Sequence, residues 1–361
     1  MNVNIPQHLE KVKPYKPGKP IETLERELGI SGSNKLASNE NPIGPSPLAV
    51  AAISNATAQL HRYPDGGAHN LTAALAKKWD VLPDEIVVGN GSDDLIGMIT
   101  RACLMPGDEV VIPQPSFLMY ELAVRWCAAE PVFVPLNDLS IDLNQILDSV
   151  TPPTKIVFLC NPNNPTGTYF THSELERFLA QLPKGVVTVI DEAYVEFVQA
   201  DDFPDSIKLL QDGHSVIVLR TFSKAYGLAG LRVGYGLMPA PWADLLHRVR
   251  MPFNVSIPAQ MGAIAALEDT PHLQKTCRTV HEGLTWLYGE LTRMGVAFYP
   301  TQANFFLIDV KQSADDLFEK MLHQGVIVRS MSAYGYPHFI RINAGLPEEN
   351  QRFIEALGDI L

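Results

Sequence analysis

At 361 residues the chain is longer than a single hydrophobic core usually grows, so two lobes are expected. Hydrophobic residues at 46% and charged residues at 19% exclude a disordered chain, and a net charge of -12 excludes a general binder of nucleic acid or anionic lipid. No apolar run approaches the roughly 18 residues of a membrane helix. The opening MNVNIPQHLEKVKPYKPGKP lacks the apolar core of a secretion signal, so a cytoplasmic location is expected.

The first forty residues are rich in Pro and Lys and hold one amphipathic stretch, IETLERELGI, which reads as an arm lying across something larger. From about Val87 short runs rich in Val and Ile take over: EIVVGN, DEVVIP, PVFVPL, KIVFLC, VVTVID and SVIVLR. They alternate with helix-length stretches such as SDDLIGMITRACL and HSELERFLAQL. That rhythm predicts an α/β fold whose large domain has a mostly parallel sheet sandwiched by helices. After about Pro252 come a long helical region, GVAFYP, NFFLIDV, a helix over 314–324, GVIVRS, HFIRIN and a closing helix, which predict a smaller α+β domain. The expected divisions are an arm with part of the small domain over 1–39, the large domain over 40–252 and the small domain over 253–361.

Ligands of open α/β sheets lie beyond the carboxyl ends of the strands, so the residues just after each run carry the information. After EIVVGN, Gly91 allows a tight turn, and Ser92 and Asp93 open a helix whose free N–H groups suit a phosphate. Such turns are also ordinary strand-to-helix connections. Phe117 follows DEVVIP and is placed to lie against a flat ring, although a lone aromatic equally suits a core. NPNNPTG after KIVFLC sets Asn164 over the sheet edge. Asp191 and Tyr194 follow an apolar strand, where a carboxylate needs a partner; a pyridinium nitrogen or a helix N-terminus would each serve. After SVIVLR, Lys224 lies in a Gly-bordered turn beside Thr221, Ser223 and Arg232, where burial near cations would lower its pKa toward covalent chemistry with a carbonyl.

Together KLASNENPIGPSP (35–47), HRYPDG (61–66), GNGSDD (89–94), NPNNPTG (161–167), DEAYVEF (191–197), TFSKAYGLAGLRVGYG (221–236) and FIRIN (339–343) make the chain resemble the fold type I pyridoxal-phosphate aminotransferases, and among them the histidinol-phosphate aminotransferases, over essentially its whole length. The resemblance implies pyridoxal 5'-phosphate held covalently by Lys224, which would also shuttle the substrate proton. It implies Asp191 on the ring nitrogen, Tyr194 and Asn164 on the phenolic oxygen, and Phe117 stacked on the ring where many relatives have Tyr. Ser92, Asp93, Ser223 and Arg232 would hold the phosphate, with Thr221 nearby and Tyr63 reaching in from the other subunit of a homodimer.

For the substrate, the resemblance implies that Arg341 and Arg329 bind a phosphate or a carboxylate, with Asn164 beside them and Tyr15 and Asn41 as wall residues. The implied reaction exchanges an amino group between glutamate and imidazole-acetol phosphate, giving 2-oxoglutarate and histidinol phosphate. An aromatic amino-acid aminotransferase and a decarboxylase of phosphorylated amino acids share the cofactor residues and stay open. A ligand-sensing regulator without turnover is disfavoured, since no DNA-binding domain fits before Lys35. No metal site is expected from the scattered Cys103, Cys127, Cys160 and Cys277.

Overall fold

A computed structural model describes residues 5–10, 12, 14 and 18–361 of the chain. Its strands, in chain order, are β1 (Asn34–Lys35), β2 (Ile86–Gly89), β3 (Glu109–Gln114), β4 (Glu130–Pro135), β5 (Thr154–Cys160), β6 (Val187–Asp191), β7 (Val216–Thr221), β8 (Gly234–Leu237), β9 (Ala297–Tyr299), β10 (Phe305–Asp309), β11 (Val326–Ile327), β12 (Arg329–Ser330) and β13 (Phe339–Asn343). Seven of them form the large sheet in the order β2-β8-β7-β6-β5-β3-β4. Pairing is parallel from β4 through β7, while β8 runs antiparallel to both of its neighbours.

The strands are continuous apolar runs because both faces of the sheet are covered. Alternation sends Ile156 and Phe158 of β5 to one face, with Val187 and Val189 of β6 and Ile217 and Leu219 of β7. Val157, Leu159, Ile190, Val216 and Val218 point to the other. Since odd-numbered residues of β6 and β7 share a face, Asp191 and Thr221 end on the first face, and Arg220 on the second.

The smaller sheet, in the order β12-β13-β10-β9, is antiparallel and packs on the helices Thr270–Met294, Ala314–His323 and Pro347–Ile360. Parallel pairing of β1 with β11 stitches the segment after the arm to this side of the molecule. Tyr194, Phe197 and Ala225, from loops of the large sheet, are buried in the core of the smaller one. Packing changes partners later in the chain than residue 252. Helix Ile257–Glu268 buries Ala259, Ala263 and Ala266 in the core of the large sheet, against helix Pro47–Ala56. The expected division at 252–253 therefore cuts through elements that pack together, because a Pro-containing turn reads as a boundary whichever core the next helix joins.

Close approach between the segment at Gly44 and the turn after Lys224 depends on Gly227, whose φ is +69° and whose added Cβ would lie 2.4 Å from the Gly44 carbonyl oxygen. Gly213 has a similar φ of +89° but open space around it. Gly213→Ala should cost about 1 kcal/mol of backbone strain, whereas Gly227→Ala should cost about 3 kcal/mol or more by adding a backbone clash. Denaturant unfolding midpoints of the two variants check this, and equal losses would show that the contact yields easily.

Candidate active site

The carboxyl ends of β5, β6 and β7, the turn after β2 and the edge of the smaller sheet converge on one cavity of about 210 Å³. Ser92, Asp93, Phe117, Asn164, Asp191, Tyr194, Thr221, Ser223, Lys224, Arg232, Arg329 and Arg341, all singled out in the sequence, line it together.

Lys224 follows β7 in a turn that presents its amine to the cavity, where Nζ donates to the Ser38 carbonyl oxygen at 3.1 Å and lies 5.7 Å from the Tyr194 ring centre. Burial and then the Arg341 guanidinium bring its pKa down to about 8. Asp191 lines the same cavity. Only 3% of it is exposed, and burial lifts its carboxyl to about 6. The Tyr120 hydroxyl donates to Oδ2 at 2.8 Å and the Ala193 amide to Oδ1 at 3.2 Å. Tyr120 lies flat on Phe158, with ring centres 4.6 Å apart and planes 4° from parallel, while Phe117 meets it edge-on. A rigid aromatic floor therefore sets where the carboxylate points.

A second group of polar residues spans the middle. The Tyr194 hydroxyl accepts from Asn39 Nδ2 at 3.0 Å and Asn164 Nδ2 at 3.3 Å. Asn164 Oδ1 accepts in turn from Arg341 Nη1 at 2.6 Å, and Arg341 Nη2 donates to the Ala37 carbonyl oxygen at 2.8 Å. Burial raises the Tyr194 hydroxyl pKa, so it remains a neutral phenol. Arg329 stands opposite Arg341 in the register of β12 and β13. Both guanidinium groups line the cavity, and either suits an anion.

The remaining wall is a cradle. Helix Ser92–Cys103 starts after Gly91 with no side-chain cap, leaving its first amides for a ligand. A Cβ on Gly91 would lie 2.6 Å from Arg232 Nη2, and one on Gly234 2.7 Å from the Ser92 nitrogen, so the two glycines let Arg232 and the helix start come together. Arg232 donates to Ser223 Oγ at 3.3 Å and to Asp93 Oδ2 at 3.3 Å. The Asp93 side chain thus holds the guanidinium, and burial raises its own pKa.

Asn41 is not among the residues that line this cavity, and Tyr63 is expected at the site of the other subunit. Tyr15 lies outside the described residues. The Asn41 amide donates to the Ala225 carbonyl oxygen at 2.8 Å and to Thr276 Oγ1 at 3.2 Å, and its oxygen accepts from the Ile43 amide, so it ties the Lys224 turn to a helix instead of forming a wall. Tyr63 is 79% exposed and stacks on Phe253 of its own chain. Sequence reading also missed groups that the structure adds. Tyr120 lies three residues after Phe117 and reads as core; Asn39 sits inside KLASNENPIGPSP; Tyr334 lines the cavity near Arg329.

The pieces suit an aldehyde-bearing, phosphorylated aromatic ring: an amine of lowered pKa, a buried carboxylate, an aromatic wall and an anion cradle. The family model for aminotransferase class I and II matches residues 33–357. The chain is 48% identical over 364 aligned positions to histidinol-phosphate aminotransferase of Desulfotalea psychrophila, covering 100% of this chain and 96% of that one. Its fold superposes with a TM-score of 0.92 and 29% identity on histidinol-phosphate aminotransferase from Sinorhizobium meliloti in complex with pyridoxal-5'-phosphate, covering 100% and 98% of the two chains. L-threonine-O-3-phosphate decarboxylase from Porphyromonas gingivalis is similar at a TM-score of 0.80 and 26% identity, over 91% of this chain and 99% of that one. The match along nearly the whole sequence, on a fold that gathers the motif residues at one cavity, places this chain in the class I and II aminotransferases.

Proposed function

We propose that the cavity holds pyridoxal 5'-phosphate and that the chain is a histidinol-phosphate aminotransferase, moving an amino group between glutamate and imidazole-acetol phosphate to give 2-oxoglutarate and histidinol phosphate in histidine biosynthesis. The observation that carries this reading is the pairing of Arg329 and Arg341 on adjacent strands beside the Lys224 amine. A guanidinium pair can grip the substrate's phosphate in one half-reaction and a glutamate carboxylate in the other.

When bound, the cofactor supplies an electron sink for charge built up at the substrate α-carbon. Lys224 would hold the group covalently and would take and return the α-proton at Nζ, a task suited to an amine with a pKa of about 8. Asp191 would pair with the ring nitrogen, which would give the buried carboxylate its cation. Phe117 would cover the ring, and Tyr194 and Asn164 would donate to its phenolic oxygen. The Ser92 and Asp93 amides, Ser223, Thr221 and Arg232 would receive the phosphate.

We further read the chain as a homodimer, with Tyr63 completing the partner's phosphate cradle. Leu60, Tyr63, Met251 and Phe253 are exposed apolar side chains close to one another in sequence or in ring contact, as a subunit interface would leave them. The reading places the reaction in the cytoplasm, without nucleic acid or membrane. No helix among the described residues is long and apolar enough to cross a membrane.

Arg329→Ala should raise KM for histidinol phosphate about 30- to 100-fold through loss of a charge-assisted contact, with cofactor affinity unchanged. An unchanged KM would move the anion site elsewhere. The likeness to the threonine-phosphate decarboxylase favours one rival, and carbon dioxide released from a phosphorylated amino acid would support it over amino transfer. The lowered Lys224 pKa also predicts pH dependence. Only the neutral amine attacks an aldehyde, so covalent uptake of added pyridoxal phosphate by the cofactor-free protein should quicken as pH rises through about 8 and level off above it. A midpoint near the ordinary lysine value of about 10.4 would contradict the electrostatics described above.

A further inference from the structure

Behind the cavity, on the other face of the large sheet, a second set of polar groups sits at the same strand ends. Glu192 follows Asp191 and Arg220 precedes Thr221, so alternation turns both away from the cavity. Arg220 donates to one oxygen of Glu192, Oε2, through Nε at 2.9 Å and Nη2 at 2.6 Å. Glu192 is 1% and Arg220 8% exposed. The guanidinium lies 4.3 Å from the Trp79 ring centre, and Trp79 Nε1 donates to the Tyr235 hydroxyl at 2.9 Å. Tyr235 is itself the register partner of Arg220 on β8. These four side chains link the end of β6 to β7, β8 and helix His69–Trp79, and the Arg220 charge also acts on the buried Glu196 carboxyl.

This group stands where the backbone ladder stops. The register of β6 with β7 ends at Asp191 and Leu219, and the Glu192 amide makes a 2.9 Å bond to the Leu219 carbonyl oxygen. Past that point one chain turns toward Tyr194 and the other toward Lys224, and the ion pair joins them across the gap. As a source of stability it is a poor choice. A buried ion pair often does no better than apolar residues of the same shape, and Glu192 Oε1 is buried with no hydrogen-bond partner among the described residues. What an ion pair does supply is a fixed distance and direction, where an apolar contact would allow sliding.

We infer that Glu192 and Arg220 are positioning residues that set the separation of Asp191 from Lys224 by locking the ends of β6 and β7 together. They touch neither substrate nor cofactor, and the inference rests on the roles given above to Asp191 and Lys224. Misplacement of reacting groups by about an ångström can lower turnover a hundredfold, so a loose joint here would matter for catalysis while leaving the fold intact.

The test replaces the pair with apolar residues of similar length, Glu192→Met with Arg220→Met, and compares the protein with and without cofactor. The cofactor-free double variant should melt at or above the parent's temperature. With cofactor, kcat should fall about 10- to 100-fold, KM should stay within about threefold, and cofactor should dissociate about tenfold more readily. The visible absorbance of the Lys224-bound cofactor should titrate at a shifted pH. Arg220→Lys, which keeps the charge and loses the two-nitrogen grip, should show the same changes at about threefold. Parental kcat, cofactor affinity and absorbance titration in either folded variant overturn the inference. Failure of the underlying reading would look different, since Lys224→Ala would then keep the visible absorbance.

Discussion

A carboxylate sealed inside an apolar sheet is the constraint around which this molecule is arranged. Asp191 ends a strand of Val, Thr and Ile side chains that are all buried, and water cannot answer its charge there. Tyr120 and the Ala193 amide satisfy part of the demand, and burial still lifts the carboxyl pKa to about 6. A cationic ring nitrogen would satisfy the rest. The same logic runs in reverse at Lys224, where burial beside Arg341 favours a neutral amine. A buried acid and an amine of lowered pKa, facing one cavity, suit a ligand that brings both a protonatable ring and an aldehyde.

The two sheets are bound to this arrangement. Arg341 belongs to the smaller sheet yet donates to Asn164, at the end of a large-sheet strand, and to Ala37, just beyond the segment stitched to β11. Tyr194 belongs to the large sheet and is buried in the smaller sheet's core. Any shift between the sheets therefore moves the anion-binding arginines relative to the ring-binding residues.

Much of this was legible in the sequence. Continuous Val and Ile runs marked six strands because a sheet covered on both faces needs apolar residues at every position, and Asp191, Asn164 and Lys224 stood out as polar groups directly after such runs. The parts that escaped had no period to read. β8 is four residues, GYGL, with two glycines chosen for close approach to β7 and the helix at Ser92. Tyr120 looks like core and is core, apart from a hydroxyl aimed at Asp191. Asn41 lies near the arm, which suggests a wall residue, whereas its amide donates to the Ala225 carbonyl oxygen and the Thr276 hydroxyl. Glu192 and Arg220 are adjacent to functional residues in sequence, and only strand alternation shows that they face the other way. The Ala-rich helix after residue 252 is silent for a related reason, since such a helix can join either core.

The identity of the amino donor is the most direct test of the whole reading. Purified protein carrying its cofactor is titrated with histidinol phosphate and, separately, with phenylalanine, and loss of the visible absorbance is followed as the cofactor takes the amino group. The Arg329 and Arg341 pair predicts conversion at far lower concentrations of histidinol phosphate. Preference for phenylalanine, or equal response to both, would contradict a phosphate-gripping site.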